Sequence, residues 1–288
     1  MGISISSGQL NNILIHGPER FDQEQEALLL SAKLYSPSLQ VYDTGARHNG
    51  KNGYATFIGN ECFSYFKSTE SKSRIHFLEL LPGDPSYLLN EQGYHYLTKQ
   101  SPAPKYLTAI AAIKDQWFTD RPSFQAALET TGIHQPYAVK TITEAALLGA
   151  LMEKGMAKDM VFLSDDVGQF TILTHALCWI HVERNLQKIH TYTPSQRQTL
   201  DQLLTAFWKL YQRLQTYSKH PHPTTQKRIE ADFDHLSNGQ TEWIALKKGL
   251  DKLKTYKEEL LICLDYPATP LHNNQSERDI REYVRQSH

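Results

Sequence analysis

Cysteine is scarce in this sequence. Cys62, Cys178 and Cys263 are the only three in 288 residues, an odd number with no Cys-x-x-Cys pair, which excludes a disulfide framework and points to a reducing compartment. Long apolar runs are missing as well. No window approaches the ~18 to 20 residues of a membrane span, and Met1 to Leu10 lack the basic start and apolar run of a secretory signal, so the expectation is a cytoplasmic chain without a membrane partner. The opening Met1-Gly2-Ile3-Ser4-Ile5-Ser6 does fit the short myristoylation pattern. Neither sign of charge dominates: 30 basic and 31 acidic residues leave a formal net charge of −1. No overall positive field announces a nucleic-acid binder, and such a partner would have to be held by a local patch. Internal repeats and low-complexity segments are absent. What remains is 40% hydrophobic and 21% charged, a globular composition on a chain long enough for one large domain or two ordinary ones.

The texture changes along the chain. Leu39-Gln40-Val41-Tyr42 running into Asp43, then Gly53 to Asn60, then Cys62 to Phe66 are aromatic and β-branched stretches that predict three consecutive strands, the last two a hairpin divided at Gly59-Asn60. Short helical patterns follow over Ser71 to Leu81, Lys105 to Phe118 and Thr143 to Met156. Met160-Val161-Phe162-Leu163-Ser164 ends in Asp165-Asp166, which is how a buried parallel strand with a polar carboxyl end reads. Beyond it the chain is helical. Leu200, Leu203, Phe207, Leu210, Leu214 and Tyr217 form one apolar stripe, and Trp243, Leu246, Leu250, Leu253 and Leu260 a second, with a shorter helix from Lys227 to Leu236 between them. The two stripes are expected to pack on each other. A terminal helix follows Pro270, with Asn273 or Asn274 as its N-cap.

On that helix Ile280 and Val284 must face the core, and Glu277, three residues before Ile280, lies at the edge of the same face. Arg278, Arg281 and Arg285 form a basic stripe on the adjoining face, suited to a phosphate backbone. The plainer reading makes Glu277 a first-turn acid that helps the helix dipole and pairs Arg281. Asp43 before Thr44-Gly45 is likewise an ordinary turn-initiating residue. His175, Cys178 and His181 recur at intervals of three and are candidate zinc ligands without a fourth partner nearby; the alternative is that Cys178 and Trp179 are core. Asp165 and Asp166 point to opposite faces of a strand, so only one can serve a given site.

Four elements together carry a resemblance: Asp43-Thr44-Gly45-Ala46-Arg47-His48-Asn49-Gly50-Lys51-Asn52-Gly53, Leu163-Ser164-Asp165-Asp166, Cys178-Trp179-Ile180-His181-Val182-Glu183-Arg184, and His272-Asn273-Asn274-Gln275-Ser276-Glu277-Arg278. The set resembles the DDE transposases of bacterial insertion sequences, of the insertion-sequence sixty-six type. The resemblance implies an α/β fold, an RNase H-like mixed sheet with flanking helices interrupted by an all-helical insertion domain. The expected layout is a first half of the core over 1–90, a helical connection over 91–157, core continuation over 158–192, the helical insertion over 193–261 and a truncated terminal core helix over 262–288.

It implies Asp43, Asp165 and Glu277 as catalytic residues and as ligands of two Mg²⁺ or Mn²⁺ ions, with Arg278, Arg281, Arg285, His181 and Arg184 on DNA. Hard oxygen ligands suit those ions, and phosphodiester cleavage uses one metal at the nucleophile and one at the leaving oxygen. The implied activity is DNA cleavage and strand transfer at element ends by a homo-oligomer on transposon-end and target DNA, associated with the nucleoid. Relatives carry an acidic residue where Tyr42 stands, so the first ligand is either Asp43 or lost. The relatives' N-terminal zinc-binding and end-binding regions, and the basic stretch after the final helix, are also missing from this sequence. The competing readings are an inactive remnant, a non-catalytic DNA-binding protein of the same fold, and an RNase H-type host nuclease.

Overall fold

The aromatic and β-branched stretch after Pro37 forms three consecutive strands, as its pattern predicts, but the first is longer than its composition suggests. β1 (Ser38–His48) continues through Asp43-Thr44-Gly45 because β2 (Lys51–Gly59) pairs antiparallel with it from Gln40 opposite Gly59 to His48 opposite Lys51. The ladder overrides the local turn preference of Asp-Thr-Gly. β3 (Ser64–Thr69) then pairs antiparallel with β2. At the turn between them a Cβ on Gly59 would lie 2.5 Å from the carbonyl oxygen of Phe63, so only glycine fits there. The structure, a computed structural model, describes residues 18–48, 51–69, 71–166 and 168–286. The Met1-to-Ser6 pattern, Asn49 and Gly50 lie outside the described residues.

The chain divides into two compact units, one of Pro37–Lys72 with Lys158–His288 and one of residues up to Ser36 with Ser73–Ala157. In the first, β4 (Val161–Ser164) lies parallel to β1, and β5 (Thr174–Leu177) parallel to β4. The result is a five-stranded mixed sheet in the order β3-β2-β1-β4-β5. All four residues of β4 are buried, which accounts for the apolar run Val161-Phe162-Leu163.

Helices follow in the order α1 (Trp179–Gln187), α2 (Pro194–Lys219), α3 (Pro223–Ser237), α4 (Ile244–Thr255), the single turn α5 (Lys257–Leu260) and α6 (Asn274–Gln286). The two apolar stripes line one core, and α3 packs against both α2 and α4. Trp179 is its centre: fully buried, within 4.6 Å of Phe207 between ring centroids, its indole N–H donating to the Leu260 carbonyl at 2.8 Å. Helix α6 lies on the sheet through Ile280 against Ala55 and Phe57, and Tyr283 stacks on Phe66 at 4.7 Å.

The second unit is helical, with helices Pro18–Tyr35, Arg74–Leu80, Glu91–Lys99, Pro104–Ile110, Arg121–Thr130 and Pro136–Glu153 and a two-stranded ribbon of Tyr87–Leu88 with Trp117–Phe118. The expected connection 91–157 lies inside this unit, together with 73–90. The helical pattern over Lys105 to Phe118 is cut short. After Ile113 the chain takes a left-handed conformation at Asp115 (φ 57°), which no α-helix admits, and Trp117 and Phe118 enter the ribbon instead. Helix Pro136–Glu153 is buried almost all round, and a Cβ on its Gly149 would lie 2.1 Å from the Leu88 carbonyl oxygen. Among the described residues no helix is long and apolar enough to cross a membrane.

Two substitutions test this packing. Trp179→Ala empties the centre of the helical core and is expected to cost about 3–5 kcal/mol in urea unfolding. Gly149→Ala forces Leu88 away and is expected to cost about 1–3 kcal/mol, with a lower midpoint of thermal unfolding.

Candidate functional site

Three elements of the sheet-bearing unit meet at one place: the middle of β1, the carboxyl end of β4 and the first turns of α6. Alternation along β1 places Tyr42 and Asp43 on opposite faces, with Phe57 opposite Tyr42 and Thr56 opposite Asp43. The Tyr42 side faces α6, since Tyr42 packs with Ala55, Phe57 and Ile280 and its ring centroid lies 6.5 Å from that of His181. Burial, followed by the charges of Glu277 and Asp165, raises the Tyr42 phenol above its ordinary value. The tyrosine therefore occupies the position on β1 that faces the Glu277-bearing helix.

Asp43 looks the other way. Its Oδ2 accepts from the Gln169 amide at 2.9 Å, Thr56 also hydrogen-bonds it, and its buried Oδ1 has no partner among the described residues. Burial pushes its carboxyl up, opposed by those hydrogen bonds and by Lys72. Asp165 sits just beyond the end of β4. Burial is the main cause of its raised pKa, about 6, with Asp43 and Glu277 pushing the same way and Lys72 opposing. Its Oδ1, too, is buried and has no partner among the described residues. Asp166 is committed elsewhere: Tyr256 donates to it at 2.5 Å and Lys252 pairs with it.

Glu277 is 4% exposed, and α6 carries it to the sheet because Ile280, one turn on, is fully buried against β2. A carboxylate buried this far must be paired. Arg281 meets it at 2.9 Å, Arg184 at 3.4 Å, and Nε2 of His181 at 3.2 Å. Burial holds His181 below the ordinary imidazole range; Arg184 and Lys188 add to this and Glu277 opposes it. A neutral ring donating from Nε2 leaves Nδ1 as an acceptor, and that atom is buried without a partner. Gln40 of β1 and Ser276 of α6 hydrogen-bond beside this cluster and fix the helix against the strand.

The remaining basic candidates lie on the exposed side of α6. Arg278 donates to Gln275 at 2.7 Å and Arg285 to Glu282 at 2.9 Å. The structure thus brings Glu277, His181, Arg184 and Arg281 together, with Asp165 within electrostatic reach of both Glu277 and Asp43. His175, Cys178 and His181 do not converge: His175 bonds Ser164 and Glu259, Cys178 packs with Val161, Leu163 and Ala176, and His181 turns to Glu277. Among the described residues no three His, Cys, Asp or Glu side chains stand as a ready group for a metal. The roles of Tyr42, Gln169 and Tyr256 had no local signal in the sequence, because each depends on a partner on another element.

A family model described as "Transposase IS66 family" matches residues 155–287. The protein y4jO of Sinorhizobium fredii, described only as uncharacterized, is 36% identical over 260 residues, covering 89% of this chain and 81% of its own. No solved structure matches the chain. The chain belongs to the IS66 family of transposases. That family implies an interaction with DNA.

The raised Asp165 carboxyl has a measurable consequence. Its folded pKa, about 6, exceeds its unfolded value near 3.8, so the folded state binds the extra proton between these limits and stability falls as pH rises through them. Asp165→Asn is expected to match the wild type near pH 4 and to exceed its stability above pH 6 by about 1–2 kcal/mol, after allowance for solvent screening. Urea unfolding across that range checks it, and parallel curves at all pH values would contradict the assignment.

Proposed function

We propose that the sheet-bearing unit is an RNase H-like core, with 193–261 as its helical insertion, and that the chain cleaves DNA at insertion-sequence ends and transfers the cut strand. The observation that carries this reading is Asp165. It is a carboxylate at the end of a buried parallel strand, with one oxygen buried and unpartnered, in the field of two further acids. Strand order β3-β2-β1-β4-β5, with β1 to β3 antiparallel and β4 and β5 parallel to β1, supports the core assignment.

The donors fit a hard divalent cation in part. Among the described residues Asp165 and Asp43 each keep a buried oxygen without a hydrogen-bond partner, the environment a Mg²⁺ or Mn²⁺ ion would satisfy. Glu277 would join them only by exchanging some of its basic partners. Bound there, such ions supply activation of a water or 3′-hydroxyl and stabilisation of the leaving oxygen. The chain's own groups do the rest. Asp165 is ionised above pH 6, Arg184 and Arg281 hold the Glu277 carboxylate in place, and Arg278, Arg281 and Arg285 offer exposed charge along α6 for phosphates. Asp166, held by Lys252 and Tyr256, maintains the loop and takes no part.

One observation favours a second reading, a DNA-binding protein that keeps the fold without the chemistry: Tyr42, and not Asp43, occupies the face of β1 turned toward Glu277. A nicking assay on DNA carrying the element's terminal inverted repeats separates the two. With Mg²⁺ or Mn²⁺, Asp165→Asn is expected to abolish nicking and Asp166→Asn to be milder. Loss of nicking in Asp43→Asn assigns the third carboxylate. Binding of that DNA with no nicking under either metal would establish the second reading, and cleavage confined to the RNA of an RNA–DNA hybrid would indicate a host nuclease.

A further inference from the structure

The main chain that carries Asp165 is held by side chains the proposed chemistry does not use. Ser164, the last residue of β4, is fully buried, and its hydroxyl donates to the Asp165 carbonyl at 2.6 Å. Nε2 of His175 lies 2.8 Å from the same oxygen. Nδ1 of His175 lies 3.0 Å from Oε1 of Glu259 on α5. The order Ser-His-Glu looks like that of a hydrolase, but the serine lies inside the sheet and its proton is aimed at a peptide carbonyl, so it is no nucleophile. One residue further, Asp166 is held by Lys252 of α4 and by Tyr256. The Ser164 carbonyl accepts from the Cys178 N–H at 2.9 Å, so the peptides on both sides of Asp165 are fastened, while among the described residues Oδ1 of its carboxylate has no partner.

We propose that Ser164, His175 and Glu259 form a positioning relay through which α5 sets the orientation of Asp165. The proposal rests on the reading of Asp165 as an acting carboxylate. Outer-shell groups of this kind orient ligands without touching the ion.

Amide hydrogen exchange in the full chain, read at Asp165 and Asp166, tests the relay directly, with Mn²⁺ as the probe of its consequence. Ser164→Ala and His175→Leu are expected to speed exchange at these two amides about tenfold, with the amides of β1 and β2 unchanged. They are also expected to weaken Mn²⁺ binding by about tenfold or more. Glu259→Ala should behave like them, whereas Glu259→Gln, which keeps an acceptor for Nδ1–H, should restore most of both. A merely structural contribution would loosen the sheet generally and would not be rescued by glutamine. Exchange at Asp165 and Asp166 within about twofold of wild type in both Ser164→Ala and His175→Leu overturns the relay. A wild-type chain that binds no Mn²⁺ overturns the metal-dependent reading instead, and the exchange comparison still decides the relay.

Discussion

A charged carboxylate cannot remain inside a fold without company, and the burial of Glu277 sets the terms for much of the sheet-bearing unit. His181 and Arg184 have to come from α1, and Arg281 from the next turn of α6. α1 reaches the site because the backbone N–H of its first residue, Trp179, bonds the Leu271 carbonyl at 3.0 Å, tying the start of one helix to the approach of the other. The same tryptophan anchors the helical core, so the geometry around Glu277 and the packing of α2, α3 and α5 share one residue. Removing a basic partner would leave a buried charge partly unmatched, which costs far more than an exposed ion pair contributes.

The same arrangement creates a competition. Arginine and a divalent cation both favour the ionised carboxylate, and Glu277 has a limited number of lone pairs to offer. Asp165 and Asp43 are in the opposite situation: each retains a buried oxygen that nothing among the described residues satisfies. Two acids that each keep one unsatisfied oxygen and a third with an excess of partners make a centre whose charge balance would shift on binding a cation or a phosphate.

Much of this was legible in the sequence, for physical reasons that differ by element. The three consecutive strands after Pro37 and the largely apolar β4 announce themselves because periodicity and burial leave the same mark on composition. So do the amphipathic stripes of α2 and α4, and the inward position of Glu277 follows from its three-residue distance to Ile280. The extension of β1 through Asp-Thr-Gly was hidden, since a ladder formed with β2 outweighs the local preference. Which of Asp165 and Asp166 stays unpaired depends on Lys252 and Tyr256, some ninety residues away. The direction of Tyr42 was open until strand register fixed it. The break after Ile113 turned on a single left-handed residue, Asp115, a conformation that aspartate tolerates without advertising it.

The sheet is assembled from two stretches of chain separated by everything between Ser73 and Ala157. During synthesis β1, β2 and β3 emerge first and can form a meander at once, but β1 is then an open edge, its hydrogen-bonding groups toward β4 unpaired until residues 161 to 164 arrive. Ala55 and Phe57 stay uncovered longer still, because Ile280 reaches them only with the last helix. High contact order of this kind slows folding and leaves an apolar, strand-edged intermediate in contact with other nascent chains.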